Sequence, residues 1–138
     1  MIEFIKVSKS YKQNLVIQNM DLTINKGELV VLIGPSGCGK TTTLKMINRL
    51  IQPSSGKILI DGVNIMDQDV ISLRRNIGYV IQQTGLFPHM TVEENIQVVP
   101  KLKKMSPEEI KSRTLAMMEM VGMDPEEFLY RYPIQLSG

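Results

Sequence analysis

Ile2 to Val7 alternates weakly, with Ile2, Phe4 and Val7 set against Glu3 and Lys6 and Ile5 beside Phe4, and reads as a strand. Ser8 to Asn14 is polar, with Tyr11 its one aromatic residue. Alternation returns from Leu15 to Ile24, where Met20, Leu22 and Ile24 share one side and Asp21 and Thr23 the other. Asn25-Lys26-Gly27-Glu28 makes a turn. Two strands of this kind predict an antiparallel layer. The next run is different. Leu29 to Ile33 is five apolar residues in succession, too few to span a membrane, and reads as a strand buried on both faces.

From Thr41 to about Ile51, Leu44, Ile47, Leu50 and Ile51 lie at helical spacing, with Lys45, Asn48 and Arg49 facing outward. Pro53-Ser54-Ser55-Gly56 is the stop signal for that helix. Lys57 to Ile60 reads as a short strand, Asp61-Gly62 as a hairpin turn and Val63 to Ile65 as the returning strand. Ser72 to Arg75 reads as a short helical turn and Ile77 to Ile81 as another apolar strand. Beyond Gln82 helical signals take over. Thr91 with Glu94 forms a capping box whose helix is expected to end at Pro100. Ser106-Pro107-Glu108-Glu109 combines an N-cap, a proline at the first helical position and an acid at N3. That helix is expected to run through Ile110, Leu115, Met118 and Val121 to a stop at Gly122. The expected organisation is a core over residues 1–90 and a small helical subdomain over 91–138, within a mixed α/β fold. Met105, Met117, Met118, Met120 and Met123 lie in the second part, either filling its core or forming an adaptable docking face.

Between the run Leu29–Ile33 and the helix lies Gly-Pro-Ser-Gly-Cys-Gly-Lys-Thr, in which Gly34, Gly39, Lys40 and Thr41 fit the phosphate-binding pattern G-x-x-x-x-G-K-[ST]. Glycines let the backbone turn its N–H groups inward around an anion. The helix that follows directs its free N–H groups and positive dipole end at the same place. Lys40 supplies a point charge for β- and γ-phosphates, and the Thr41 hydroxyl can ligate Mg²⁺.

Composition narrows the picture a little further. The 138 residues amount to one domain's worth of chain, 43% hydrophobic and 22% charged, as in ordinary globular proteins. A net charge of +2 without a dense basic block gives no reason to expect nucleic acid. Lys101, Lys103 and Lys104 read as a solvated helix approach. The one cysteine, Cys38, rules out an internal disulfide and suits a reducing compartment. No apolar run is long enough for a membrane span, and Glu3, Lys6 and Lys9 interrupt any signal-peptide pattern at the N-terminus.

Four features taken in order resemble the ATP-binding subunit of an ABC transporter. They are Tyr11 ahead of the phosphate loop, the Walker A loop, Gln82 after the strand Ile77–Ile81, and the closing Leu136-Ser137-Gly138. The wording from Ile33 to Leu50, together with Ile77-Gly78-Tyr79-Val80-Ile81-Gln82-Gln83 and Gly85-Leu86-Phe87-Pro88-His89, is similar to the ATPases of importers for glycine betaine, carnitine or choline. The resemblance implies an ABC-type P-loop NTPase core with an antiparallel β layer and a helical subdomain. It also implies ATP and Mg²⁺ as cofactors and a peripheral place on the cytoplasmic face of the cell membrane.

By that resemblance Tyr11 stacks on adenine, Gly34, Pro35, Ser36, Gly37, Cys38, Gly39 and Lys40 bind the nucleotide, and the backbone amides from Ser36 to Lys40 hold the β-phosphate. Thr41 and Gln82 ligate Mg²⁺, Thr42 assists at the α-phosphate, and Gln82 senses the γ-phosphate. His89 is read as structural. Ser137 and Gly138, the opening of the signature motif, would act on the nucleotide of a second ATP-binding subunit in a head-to-tail dimer. The helical subdomain, with Phe87 and Met90, would contact transmembrane permease subunits and through them, indirectly, a solute-binding protein.

The sequence stops inside the signature motif and contains no Walker B aspartate, catalytic glutamate or switch histidine. The expectation is therefore a chain truncated relative to the family, able to bind nucleotide weakly and unable to hydrolyse it alone. Its uncovered strands are expected to make it marginally stable and prone to associate. Two other readings remain open: an ABC ATPase not linked to transport, and a non-catalytic fragment that binds nucleotide or a partner.

Overall fold

The computed structural model describes residues 1–81 and 85–136. The chain divides into two compact units, Met1–Ile77 and Gly78–Gly138.

The first unit is built on a four-stranded antiparallel sheet. Strands β1 (Ile2–Tyr11), β2 (Asn14–Ile24), β3 (Ser55–Ile60) and β4 (Val63–Asn64) stand in the order β2-β1-β3-β4. Strand β1 is longer than its hydrophobic pattern indicates and runs through the polar stretch to Tyr11. A bulge explains the weak alternation. Lys6 takes a positive φ of 47°, and the register shifts between Phe4 and Val7. Phe4 and Val7, three apart, therefore both reach the core while Ile5 is left exposed. The Asp21 carboxylate accepts from the freed Lys6 N–H at 2.7 Å. Gly56 lies against this bulge, and a Cβ there would overlap the Lys6 carbonyl. Asp61 and Gly62, both at positive φ, form the β3–β4 turn that their dipeptide signals.

Phe4, Val7, Ile17, Met46, Ile58, Ile65 and Leu73 form the buried core of this unit. Helix α1 (Lys40–Ile47) contributes Met46, which is fully buried and worth about 2 kcal/mol of burial. Its buried face matches the expected one only in part: Ile47, and Ile51 beyond the helix, pack against the core. Thr43, Met46 and Asn48 face inward while Leu44 and Leu50 are half exposed. The helix also ends earlier than the Pro53 signal. Arg49 enters the left-handed region at φ 52°, and the N–H groups of Leu50 and Ile51 both turn back to the Lys45 carbonyl. Arg74, on helix α2 (Val70–Arg75), then caps this end, donating to the carbonyls of Asn48 at 3.1 Å and Arg49 at 2.8 Å.

Two expected strands are not found. Leu29–Ile33 lies outside the sheet, with Leu29 and Ile33 each 91% exposed, and Ile77–Ile81 is likewise in no described strand. An apolar run becomes a buried strand only where neighbours pair with its backbone and cover both faces. The four described strands make no such pairing.

The second unit comprises α3 (Val92–Leu102), α4 (Pro107–Met120), the short α5 (Pro125–Phe128) and a 3₁₀ turn over Pro133–Gln135. Both capping boxes form as read: Thr91 with Glu94, and Ser106 with Glu109. Helix α3 continues through Pro100 to Leu102 rather than stopping there. Carbonyls of Leu129 and Arg131 accept the free N–H groups of Glu93 and Val92 at its start. Helix α4 stops at Met120, with Gly122 at φ 69° following, and buries Thr114 and Met118. Leu115 and Val121 are exposed. Of the five methionines here only Met118 is fully buried; Met117 and Met120 are exposed.

Candidate functional site: a phosphate-loop cradle

Residues 34–39 fold as a compact loop leading into α1. Gly37 and Gly39 both hold positive φ, 83° and 99°, which a side chain would resist. Gly39 carries a second constraint, because a Cβ there would stand 2.9 Å from Ile17 Cγ1 of β2. The loop is thus pinned to the sheet through a residue without a side chain. Gly34 is as confined: its Cβ would meet Cys38 Sγ at 2.6 Å.

The donors of this loop are the chemically telling feature. Cys38 N–H makes a long bond to the Pro35 carbonyl at 3.4 Å, and Thr43 N–H reaches Gly39 O at 2.8 Å. Among the described residues, the N–H groups of Ser36, Gly37 and Gly39 have no protein acceptor. Those of Lys40, Thr41 and Thr42 open the helix, where no intrahelical acceptor exists. Six N–H groups without a protein acceptor thus lie in or next to a helix start, the kind of arrangement that can serve an anion. The Thr43 hydroxyl is committed to the Gly39 carbonyl at 3.0 Å, whereas Thr41 is exposed and makes no described side-chain bond. The hydroxyls of Ser36 and Thr42 likewise make no described side-chain bond, so Thr43 is the committed hydroxyl among these four. No cluster of three or more His, Cys, Asp or Glu that could hold a metal ion occurs among the described residues.

Lys40 differs from the simplest expectation. Its ammonium folds over the loop and donates to the carbonyls of Gly34 and Pro35, each at 2.7 Å, with Cys38 Sγ 3.5 Å away. Beside it opens a cavity of about 540 Å³, whose wall includes Ile17, Val31, Ile33, Cys38, Lys40 and Thr43. From the sequence Ile17 is only a strand residue. Its apolar character in an alternating run points to burial, and nothing local says that it lies under the phosphate loop.

Tyr11 ends β1 and is 43% exposed, with the Lys9 ammonium 5.0 Å from its ring centroid. It does not line that cavity. Gln82, Ser137 and Gly138 lie outside the described residues. Of the expected positions, the described residues of the loop and helix start, 34–42, thus stand together, and Tyr11 lies apart from the cavity beside them.

A strand-side glycine loop with unsatisfied amides, a lysine and a helix start define a P-loop nucleotide-binding protein, and the sequence profile of the ABC transporter family matches residues 17–138. The chain belongs to that family. It is 58% identical over 139 aligned residues to the glycine betaine/carnitine/choline transport ATP-binding protein of Bacillus subtilis strain 168, covering 100% of this chain and 36% of that protein. It is 53% identical over 143 residues to an osmoprotectant import ATP-binding protein of Salmonella typhimurium, covering 100% of this chain and 37% of that one. In structure it matches an ATP-binding cassette solved as a dimer in a post-hydrolysis state with ADP and Pi, with a TM-score of 0.85 and 36% identity. That match takes in 99% of this chain and 63% of the cassette. The fold is accordingly that of an ABC ATPase cassette over the part matched. The chain spans a little over a third of the length of the curated relatives.

Proposed function

We propose that this chain is the nucleotide-gripping part of the ATP-binding subunit of an ABC importer for quaternary-amine osmoprotectants such as glycine betaine, carnitine or choline. The observation that carries the reading is the set of unsatisfied N–H groups at Ser36, Gly37 and Gly39 to Thr42, on a chain matched from end to end by osmoprotectant transport ATP-binding proteins. In this reading the amides of residues 36–40 hold the β-phosphate, and Lys40 leaves the Gly34 and Pro35 carbonyls for the anionic oxygens. The ammonium's bonds to carbonyls are charge-assisted on the donor side only, and a phosphate adds a full opposite charge to the attraction. Mg²⁺, when bound, neutralises phosphate charge, and Thr41 with Gln82 would hold it. Tyr11 stacks on the adenine. Ser137 and Gly138 serve the nucleotide of a second ATP-binding subunit, and permease subunits bind the helical unit. The site of action is the cytoplasmic face of the membrane; among the described residues no helix is long and apolar enough to cross one. Hydrolysis requires groups that orient the attacking water, and in this reading Gln82 is the one such group assigned within residues 1–138.

A chimera tests this reading. Residues 1–138 replace the matching part of the Bacillus subtilis relative, and ATP-dependent uptake of glycine betaine is measured in cells. Uptake that disappears with Lys40→Ala supports the proposal. A chimera that folds, reaches the membrane and transports nothing overturns it.

A further inference from the structure

Asn95 stands in the first turns of α3, but its side chain works on the loop before the helix. Its Oδ1 accepts from the Phe87 N–H at 2.7 Å. Its Nδ2 lies within donating distance of the carbonyls of Phe87 at 3.1 Å, Met90 at 3.0 Å and Thr91 at 2.9 Å. One amide side chain thus grips Phe87 by both N–H and C=O, as a neighbouring strand would, and reaches two further carbonyls of the turn. The Met90 N–H closes the same turn onto the Phe87 carbonyl at 3.1 Å. The tip so held carries Phe87, 47% exposed, with the His89 ring edge-on to it at 6.0 Å between centroids.

Asparagine is a poor residue for a helix interior because its amide competes for backbone groups. At position 95 that competition is directed outward from the helix and used up on the loop. Leucine or alanine would serve α3 better and leave residues 87–90 without their anchor.

We propose that Asn95 is a positioning residue, holding residues 87–91 in one conformation so that Phe87 and His89 form a fixed, exposed tip. The value of a fixed tip is that a partner meets it already ordered, without the entropic cost of fixing a loop on binding. That the partner is a permease subunit rests on the function proposed above; the clamp itself does not.

Three variants of the 138-residue chain test this: Asn95→Ala, Phe87→Ala and the pair. Hydrogen exchange of the Phe87 amide in Asn95→Ala is expected to quicken by on the order of tenfold or more, while amides of Ile110–Met118 keep their protection. His89 is the only histidine, so its ring protons give an unobscured reporter. Their signals should lose the ring-current shift from Phe87. Binding is then measured to the solubilised membrane subunits of the Bacillus subtilis glycine betaine/carnitine/choline system. Each single variant should weaken binding by about tenfold and the pair by no more than either, since both act through Phe87. Unchanged Phe87 exchange and unchanged His89 signals in Asn95→Ala overturn the clamp. Additive losses in the pair overturn its action through Phe87. If the unaltered chain fails to bind those subunits, the functional reading falls, and exchange together with the His89 signals still decides the clamp.

Discussion

Lys40 Nζ lies 2.7 Å from the carbonyl oxygen of Gly34, six residues back along the chain, so the residue that closes the loop also ties it to its own beginning. Cys38 sits under this tie, with Sγ 3.5 Å from the ammonium and packed over Gly34. Cys38 is exposed to reagents all the same. Alkylating it places bulk where Lys40 must swing to reach a phosphate. Treatment with N-ethylmaleimide is expected to abolish nucleotide binding, and Mg-ATP is expected to slow the alkylation. Equal labelling rates with and without nucleotide, followed by mass spectrometry, would contradict this.

Gly39 and Gly37 separate two reasons for a glycine. Both hold positive φ, but only Gly39 has β2 against it: a Cβ at Gly39 would stand 2.9 Å from Ile17 Cγ1, while one at Gly37 would meet open space. Gly37→Ala is expected to cost about 1 kcal/mol, the backbone penalty alone. Gly39→Ala adds a clash with a packed core side chain and should cost roughly 2–4 kcal/mol in total. Urea denaturation of both variants checks the ordering; equal losses would mean that the packing contact contributes nothing.

Acid should loosen the first unit in a predictable direction. The carboxyl of Asp69 is held below the usual range, chiefly by the Ser72 backbone N–H at the start of α2. Asp61 is lowered by its bond to the N-terminal ammonium, and Glu28 by the side chain and backbone N–H of Asn25. A carboxyl depressed in the native state contributes its stability above the unfolded value, near about pH 4, and loses it as pH falls through the native one. Urea midpoints should therefore hold level from neutrality to about pH 5 and decline below it. Asp69→Asn, which keeps a capping oxygen but cannot titrate, should flatten part of that decline. A midpoint that rises on acidification would contradict the assignment.

What can be read from the sequence is whatever depends on neighbours a few residues apart. The Thr91–Glu94 and Ser106–Glu109 boxes, the Asp61-Gly62 turn and the phosphate loop are all of that kind, and each forms. Asp124-Pro125-Glu126-Glu127 carries the same grammar and caps α5, a local signal that the hydrophobic pattern alone does not bring out. Non-local features are harder. The bulge at Lys6 blurs the alternation of β1, and Leu29–Ile33 has every strand-like property except a partner. The inward turn of Asn48 and the exposure of Leu44 depend on which face of α1 the sheet takes, which spacing alone leaves ambiguous.

The same apolar segment should make the chain associate in solution. Leu29, Val31 and Ile33 are 91%, 69% and 91% exposed, with their backbone outside the sheet. Exposed apolar strand-formers recruit other chains. Sedimentation of the purified chain should show concentration-dependent association, reduced by Leu29→Lys with Val31→Lys. A strictly monomeric species that unfolds cooperatively would count against it.

The central claim is that residues 34–41 grip a triphosphate, and isothermal titration of the 138-residue chain with Mg-ATP tests it most directly. The account predicts weak, saturable binding at one site per chain, weakened by about tenfold or more in Lys40→Ala while helix content is retained. A folded chain that takes up no Mg-ATP, or a Lys40→Ala variant that binds it equally well, would contradict the account.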